Sequence, residues 1–278
     1  MEMLQSAINQ IIAAAPPLAS WDYKGPDGLM YCGKCNTRRE RRINILGKSR
    51  IVGVMCQCRN DAHNAEKEQK RQVRIAETRK RCLMDPVDAN CTFERDDRKN
   101  PDLSSMMKLY ADEFTFTKPQ EFGLLLYGPV GIGKSYYAAC IANSLLEREI
   151  PVKMTNFTRI IYEMQSSFEG RQEYLDRLNR YNLLILDDLG CERESEYMQE
   201  QVYNIIDGRY RTKLPMIVTT NIDMEEIKNP KNIQRQRIYD RLLEMCQPVK
   251  LTGTSRRRRS LIDHYAERQA MLRGERNG

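Results

Sequence analysis

The sequence predicts an α/β domain on a five-stranded parallel sheet, preceded by a small cysteine-rich module and a charged connector helix. Three observations lead to this prediction. Short apolar runs alternate with helix-compatible segments from residue 92 onward. The glycine-rich run GPVGIGKS lies between the first of these apolar runs and the first helical pattern. Four of the nine cysteines form two close pairs before residue 60.

The composition favours a cytoplasmic protein with at least two folding units. A chain of 278 residues is long for one compact core, and a net charge of +7 favours contact with polyanions, nucleic acid first. No apolar span approaches membrane length, and the start MEML carries an acid where a secretory signal carries Lys or Arg. We therefore expect no membrane contact, and thiols or metal ligands in place of disulfides.

We expect three segments, at residues 1–58, 59–88 and 89–278. Residues 4–14 place apolar side chains on one side of a short helix, which is either core or a face for a partner. Residues 60–81 are rich in Lys, Arg and Glu and lack Pro and Gly, so they should form one long polar helix. Its cations either follow phosphates or pair with the interspersed acids, and the sequence does not separate these alternatives.

The paired cysteines predict a zinc site in the first segment. Four thiolates, from Cys32, Cys35, Cys56 and Cys58, suit tetrahedral Zn²⁺ and would supply folding energy to a small module. A predicted hairpin with its turn at residues 47–48 separates the two pairs. The second pair is C-x-C and not C-x-x-C, so His63 or Cys82 remains open as the fourth ligand.

The third segment has the alternation of a nucleotide-binding α/β domain. We predict strands at residues 124–127, 152–156, 183–187, 216–220 and 249–251, and a first helix at residues 134–148. Small residues at 138, 139 and 142 should let this helix pack closely on the sheet.

The spacing G-x-x-x-x-G-K-S after the first strand predicts a phosphate-binding loop for ATP. Its glycines permit amide N–H groups to converge on a β-phosphate at the positive end of the following helix. Lys134 would bring its charge to the β- and γ-phosphates, and the Ser135 hydroxyl would bind Mg²⁺. The expected nucleotide-binding residues are Gly128, Pro129, Val130, Gly131, Ile132, Gly133, Lys134, Ser135 and Tyr136.

Two carboxylates follow the strand at 183–187, at the sheet edge where parallel α/β proteins bind ligands. We expect Asp187 to hold Mg²⁺ and Asp188 to orient and polarise the water that attacks the γ-phosphate. Such a pair can also cap the next helix, but its combination with the phosphate-binding loop favours catalysis.

Further polar side chains extend the candidate site. Asn221 ends the strand at 216–220 and should contact the γ-phosphate or the attacking water. Arg237 and Arg241 share one helix face, from which one could reach a neighbouring subunit's nucleotide; pairing with a nearby acid is the alternative. Arg257 is the candidate for a cation that acts on the nucleotide of its own subunit.

A mixture of rings and cations precedes the Asp187 strand. Phe168, Arg171, Tyr174 and Arg177 form the combination that stacks on single-stranded bases. Core packing of the rings is the simpler alternative.

These motifs together resemble those of the AAA+ ATPases of the DnaC/DnaI helicase-loader and IstB group. The resemblance covers about residues 90–260. It is carried by GPVGIGKS at 128–135, LLILDDLG at 183–190, TTN at 219–221, RIYDRL at 237–242 and GTSRR at 253–257. It implies an AAA+ fold with a minimal or absent lid, with Asn221 as sensor 1, Arg241 as the arginine finger and Arg257 as sensor 2.

The resemblance also implies a function. It suggests an Mg²⁺-dependent ATPase that loads a replicative DnaB-type hexameric helicase onto single-stranded DNA, self-associates around it, and contacts it through residues 1–58. Asp188 stands where AAA+ proteins more often have Glu, which predicts slow hydrolysis that a partner or DNA stimulates. Alternatives are an IstB-type helper of DNA transposition, a P-loop kinase, and a zinc-dependent DNA-binding platform that binds ATP without turnover.

Overall fold

The structure is a computed structural model of the chain. It describes residues 17–45, 47–116, 120–166, 170–192, 195–230, 232–255, 265, 268–269 and 271–273. The helix predicted at residues 4–14 lies outside this part. The chain divides into two compact units, residues 1–74 and 75–278, which part inside the predicted connector helix.

The first unit consists of two small antiparallel sheets and the start of a long helix. Strands β1 (Tyr23–Lys24) and β2 (Met30–Tyr31) pair, and strands β3 (Glu40–Ile45) and β4 (Lys48–Gly53) form the predicted hairpin. The hairpin turns at Gly47, whose φ of 76° is in the left-handed region that glycine adopts without strain.

A buried ion pair lies at the base of this hairpin. Arg39 Nε lies 3.2 Å from Asp22 Oδ2, and both side chains are 1% exposed. A guanidinium nitrogen of Arg39 also donates to the carbonyl of Pro17 at 2.7 Å. Among the described residues of this unit few apolar side chains are buried, so polar contacts and buried thiols take a large share of the interior that is described.

Helix α1 (Gln57–Cys82) confirms the predicted long polar helix. Ion pairs link Lys70 with Glu66 and Arg71 with Glu68 along its surface. At least some cations of α1 therefore pair with acidic residues of the same helix, which is one of the two alternatives that the sequence left open. In the described chain, no helix is long and apolar enough to cross a membrane.

The second unit contains the predicted five-stranded parallel sheet. Its strands are β5 (Gly123–Tyr127), β6 (Val152–Asn156), β7 (Leu183–Leu189), β8 (Met216–Thr220) and β9 (Cys246–Lys250), in the order β6-β7-β8-β5-β9. Helices cover both faces, which is why these strands are apolar runs without polar alternation. The direction in which successive strands are added to the sheet reverses at β5. Such a reversal leaves a crevice at the carboxyl end of the strand, where α/β proteins bind ligands.

Side chains alternate between two cores across this sheet. Leu124 and Leu126 of β5 face one core, and Leu125 faces the other. The helices of the unit are α2 (Pro101–Glu113), α3 (Lys134–Glu147), α4 (Phe157–Ser166), α5 (Arg171–Leu178), α6 (Glu196–Thr212), α7 (Met224–Lys228) and α8 (Ile233–Met245), with short 3-10 turns at Pro86–Asn90 and Phe93–Arg95. The small residues of α3 are fully buried, as predicted.

Arg209 of α6 joins the loops that precede β7 and β8. The side chain is fully buried, and it donates to the carbonyls of Tyr181 at 2.9 Å, Asn182 at 3.1 Å and Pro215 at 2.7 Å. Burial lowers the pKa of the guanidinium to about 10, so it stays charged at neutral pH.

We expect Arg209→Leu to lower the free energy of unfolding of this unit by about 3 kcal/mol or more, because buried carbonyls lose their donor. The control Arg211→Leu removes a 78% exposed side chain paired with Asp207 and should cost less than about 1 kcal/mol. Urea unfolding followed by circular dichroism measures both. Equal stability of the two variants would contradict this role of Arg209.

Candidate functional site

The glycine-rich loop leaves the carboxyl end of β5 and runs into α3. Gly128, Gly131 and Gly133 have φ values of 137°, 82° and 105°, in the region that favours glycine. A Cβ at Gly128 would lie 2.4 Å from the carbonyl oxygen of Leu251. These glycines therefore let the backbone turn tightly beside the sheet, with amide N–H groups at the amino end of α3.

Lys134 connects this loop to a second strand end. Its side chain is 5% exposed, and its ammonium donates to the carbonyls of Gly128 at 2.9 Å and Pro129 at 2.8 Å. It also donates to Asn221 Oδ1, directly after β8, at 2.6 Å. The predicted Lys134 and Asn221 thus meet although 87 residues separate them.

Asp187 lies near the carboxyl end of β7, two residues before Leu189, and its side chain is 4% exposed. The Thr219 hydroxyl of β8 donates to Asp187 Oδ1 at 2.6 Å, and the Ser135 hydroxyl lies near enough to this carboxylate to lower its pKa. Burial raises the pKa of Asp187, and both hydroxyls oppose that rise. A hydroxyl beside a buried carboxylate is an oxygen donor set that fits Mg²⁺.

Asp188 follows Asp187 directly, and the strand is irregular at this point. Leu186 pairs with Val218 and Leu189 with Thr220, so β7 contains one residue more than β8 over this stretch. Asp188 lies in this bulge with a φ of 56°, and its side chain is exposed. One carboxylate is thus buried and the next is exposed at the same sheet edge.

Thr219 is a residue of the site that the sequence analysis did not single out. Its hydroxyl accepts from the Asp188 backbone N–H at 2.9 Å and donates to Asp187. One fully buried hydroxyl thus positions both acids. The run TTN at 219–221 contained this residue, but only Asn221 was assigned a role from it.

The two arginines of α8 lie in different environments. Arg241 Nε is 3.0 Å from Asp207 Oδ1 of α6, and its guanidinium lies 4.1 Å from the centre of the Tyr210 ring. This contact is the pairing with a nearby acid that the sequence left as an alternative. Arg237 is exposed. Arg257 lies outside the described residues.

The remaining loop residues have mixed environments. Val130 is exposed, whereas Ile132 packs into the core with α3. The Tyr136 hydroxyl donates to the carbonyl of Thr92 at 2.9 Å, which fixes its ring beside the segment that leads to α2.

The described members of the proposed stacking set, Arg171, Tyr174 and Arg177, do not form an open aromatic surface. Tyr174 is buried, and its hydroxyl donates to Glu163 at 2.5 Å. The guanidinium of Arg177 lies 5.1 Å from the Tyr174 ring centre, and that of Arg171 lies 5.9 Å from the Tyr197 ring. For Tyr174 the structure therefore agrees with the simpler alternative, core packing of the ring. Phe168 lies outside the described residues.

The four predicted zinc ligands converge in the first unit. Their sulfur atoms all lie within 4.8 Å of one another, with Cys32 to Cys58 at 3.7 Å and Cys56 to Cys58 at 3.5 Å. A tetrahedron with Zn–S bonds of about 2.3 Å has edges of about 3.8 Å, so the set fits Zn²⁺. A hydrogen bond with the Thr37 hydroxyl lowers the pKa of Cys35 to about 6, towards the thiolate that binds metal, whereas a hydrogen bond with Cys56 raises the pKa of Cys58.

Neither His63 nor Cys82 belongs to this cluster. His63 is exposed on α1, and Cys82 is buried with the core of the second unit. Both cysteines of the C-x-C pair, Cys56 and Cys58, therefore contribute their sulfur atoms to the cluster.

Comparisons with known proteins agree with this geometry. A model of the family of IstB-like ATP binding proteins matches residues 44–263. The replicative helicase loader DnaI of Bacillus subtilis is 26% identical over 181 residues, which cover 60% of this chain and 58% of the relative. The replicative helicase loader DnaC of Escherichia coli is 27% identical over 185 residues, 64% of this chain and 73% of the relative.

A crystal structure of DnaI has a TM-score of 0.54 to this chain at 24% identity, covering 64% of this chain and 98% of that one. This likeness confirms the expected α/β fold with a five-stranded parallel sheet flanked by helices. The curated relatives confirm the resemblance drawn from the motifs, and the family match spans most of the chain. The chain therefore belongs to the family of IstB-like ATP binding proteins.

Proposed function

We propose that this protein is an ATP-dependent loader that places a replicative DnaB-type hexameric helicase on single-stranded DNA. One observation carries the proposal: Lys134, Ser135, Asp187 and Asn221 meet at one sheet edge, in a chain similar to two proteins named replicative helicase loaders. The chain spans 58% of the length of DnaI, so the activity of the whole relative is carried over here only as a proposal.

In this proposal the site binds ATP through its own backbone and charges. The loop amides at the start of α3 and the Lys134 ammonium hold the β- and γ-phosphates. Ser135 and Asp187 hold Mg²⁺, which would neutralise charge on the transferred phosphoryl group. Asp188, exposed at the bulge, accepts a hydrogen bond from the attacking water and polarises it.

The contact between Lys134 and Asn221 suggests how nucleotide state changes the conformation. The ammonium donates to Asn221 Oδ1 and to two loop carbonyls. A γ-phosphate would compete with these three oxygens for the hydrogen bonds that the ammonium donates. ATP would draw Lys134 towards its phosphates and let Asn221 meet the γ-phosphate, whereas ADP would not. The end of β8 would therefore differ between the two nucleotide states.

Self-association would place a cation of one subunit at the nucleotide of its neighbour. Arg237 is exposed and is the alternative cation for this role. Arg241 must leave Asp207 and the Tyr210 ring to serve as the finger, at the cost of an ion pair and a cation–π contact. We retain Arg241 as the proposed finger and Arg257 as the proposed sensor-2 cation.

Zinc completes the proposal for the first unit. The four thiolates would hold one Zn²⁺, whose binding supplies about 10 kcal/mol or more of folding energy in small metal modules. Residues 1–58 would then present a folded surface to the helicase.

A second candidate function is that of an IstB-type helper of DNA transposition. The name of the matched family favours it, and the two functions share the ATPase residues. The partner protein separates them.

We expect Thr219→Val to slow ATP hydrolysis by about 10- to 100-fold, because both Asp187 and Asp188 lose the hydroxyl that positions them. Thr219→Ser keeps the hydroxyl and should stay within about threefold of the unchanged protein. Steady-state phosphate release measures both. Hydrolysis by the Val variant at the unchanged rate would remove Thr219 from the site.

Freshly purified, reduced protein should contain about one equivalent of zinc by mass spectrometry, and Cys58→Ser should lose most of it. The matched control Cys191→Ser changes an exposed thiol outside the cluster and should keep the metal. Trp21 is the sole tryptophan, so its fluorescence follows the first unit alone during chelation. A zinc content near zero in the unchanged protein would refute the site.

The protein should associate with a replicative DnaB-type hexamer, and ATP should change the stability of that complex. Native mass spectrometry of mixtures with and without ATP tests this, and Lys134→Ala should remove the effect of ATP. Binding to a transposase and to no replicative helicase would establish the IstB-type function instead.

A further inference from the structure

The first unit carries most of the net positive charge of the protein. Residues 17–58 contain eight Lys or Arg and three Asp or Glu, a local net charge of +5 of the +7 of the whole chain. Half of these cations lie on the β3–β4 hairpin, residues 40–53, which we call the basic ribbon. They are Arg41, Arg42, Lys48 and Arg50, and all four are exposed.

The cations of the basic ribbon differ from their neighbours in their lack of acidic partners. Arg38 pairs with Asp27 and Arg39 with Asp22, just before the ribbon begins. Among the residues that the structure describes, no ion pair reaches the four ribbon cations. Their charge is therefore uncompensated within the part of the chain that is described, and it favours a polyanionic partner.

The register of the hairpin distributes these cations over both faces. Cross-strand partners share a face, and Arg41, Ile43 and Ile45 pair with Val52, Arg50 and Lys48. Arg41, Arg50 and Lys48 therefore lie on one face. Arg42 pairs with Ile51 and lies on the opposite face with Asn44 and Ser49.

The base of the ribbon is anchored, so its cations start from a defined position. The buried Arg39 precedes β3, and its carbonyl accepts from the Val54 N–H at 2.7 Å just after β4. The cluster sulfur of buried Cys56 follows two residues later. A ribbon fixed at its base loses less conformational freedom when it binds.

We propose that the basic ribbon binds the phosphate backbone of duplex DNA. A two-stranded ribbon has the size that the major groove admits, and a duplex offers phosphates on both sides of an inserted ribbon. Arginine, three of the four cations, matches phosphate with two parallel hydrogen bonds. An acidic protein surface would meet one face of the ribbon and leave the cation on the other face without a partner.

Single-stranded DNA is the less suitable nucleic acid for this surface. Proteins that hold single strands stack the bases on aromatic side chains, and residues 40–53 contain no aromatic residue. The proposal uses no residue of the nucleotide site, but the ribbon lies within residues 1–58, the segment proposed to contact the helicase, so the test below follows the helicase complex as well as the duplex.

The test measures binding of the full-length protein to a labelled duplex of about 20 base pairs by fluorescence anisotropy over a series of salt concentrations. The ribbon variant is Arg42→Gln with Arg50→Gln, one cation from each face. The matched control is Lys67→Gln with Lys228→Gln, two exposed lysines outside the ribbon. Zinc content and Trp21 fluorescence confirm that both variants keep the first unit folded.

The ribbon variant should lower the slope of log affinity against log salt by about 2, equally for two unrelated duplex sequences, because two phosphate contacts are lost. The control pair should leave the slope unchanged, and Lys134→Ala should bind the duplex as the unchanged protein does. Equal slopes for the ribbon variant and the unchanged protein would overturn the proposal. So would an effect on a single strand alone, or loss of the helicase complex with duplex binding intact.

Discussion

The contact of Lys134 with Asn221 is the interaction on which the nucleotide site depends. It joins the loop after β5 to the end of β8 at 2.6 Å, and the hydroxyl of Thr219, one residue before β8 ends, positions Asp187 and Asp188 at the end of β7. Three strand ends thereby form one polar edge. The parallel order of the sheet makes this possible, because carboxyl ends of neighbouring strands meet on one side.

The two units achieve stability by different means. The second has apolar cores on both faces of its sheet, and the buried guanidinium of Arg209 satisfies loop carbonyls at the edge opposite the site. The first buries few apolar side chains and instead brings four sulfurs within 4.8 Å of one another. A bound metal would supply the folding energy that so charged a segment lacks. The cations of the hairpin would then not be needed for folding and would remain available for a partner.

The sequence was sufficient where a pattern is local. The spacing of GPVGIGKS and the apolar run before Asp187 predicted the loop, the strands and the acids, because turn chemistry and strand burial act over a few residues. It was not sufficient where a contact joins distant segments. The role of Thr219, the bulge that separates Asp187 from Asp188, and the pairing of Arg241 with Asp207 all depend on neighbouring strands or helices.

The central claim is that a nucleoside triphosphate binds between Lys134 and the acids that end β7. Calorimetric titration of the protein with ATP and Mg²⁺ tests it most directly, with Lys134→Ala as the comparison. The account predicts one site per chain in the unchanged protein and a large loss of affinity in the variant. Absence of heat in the unchanged protein, or equal binding by the variant, would contradict it.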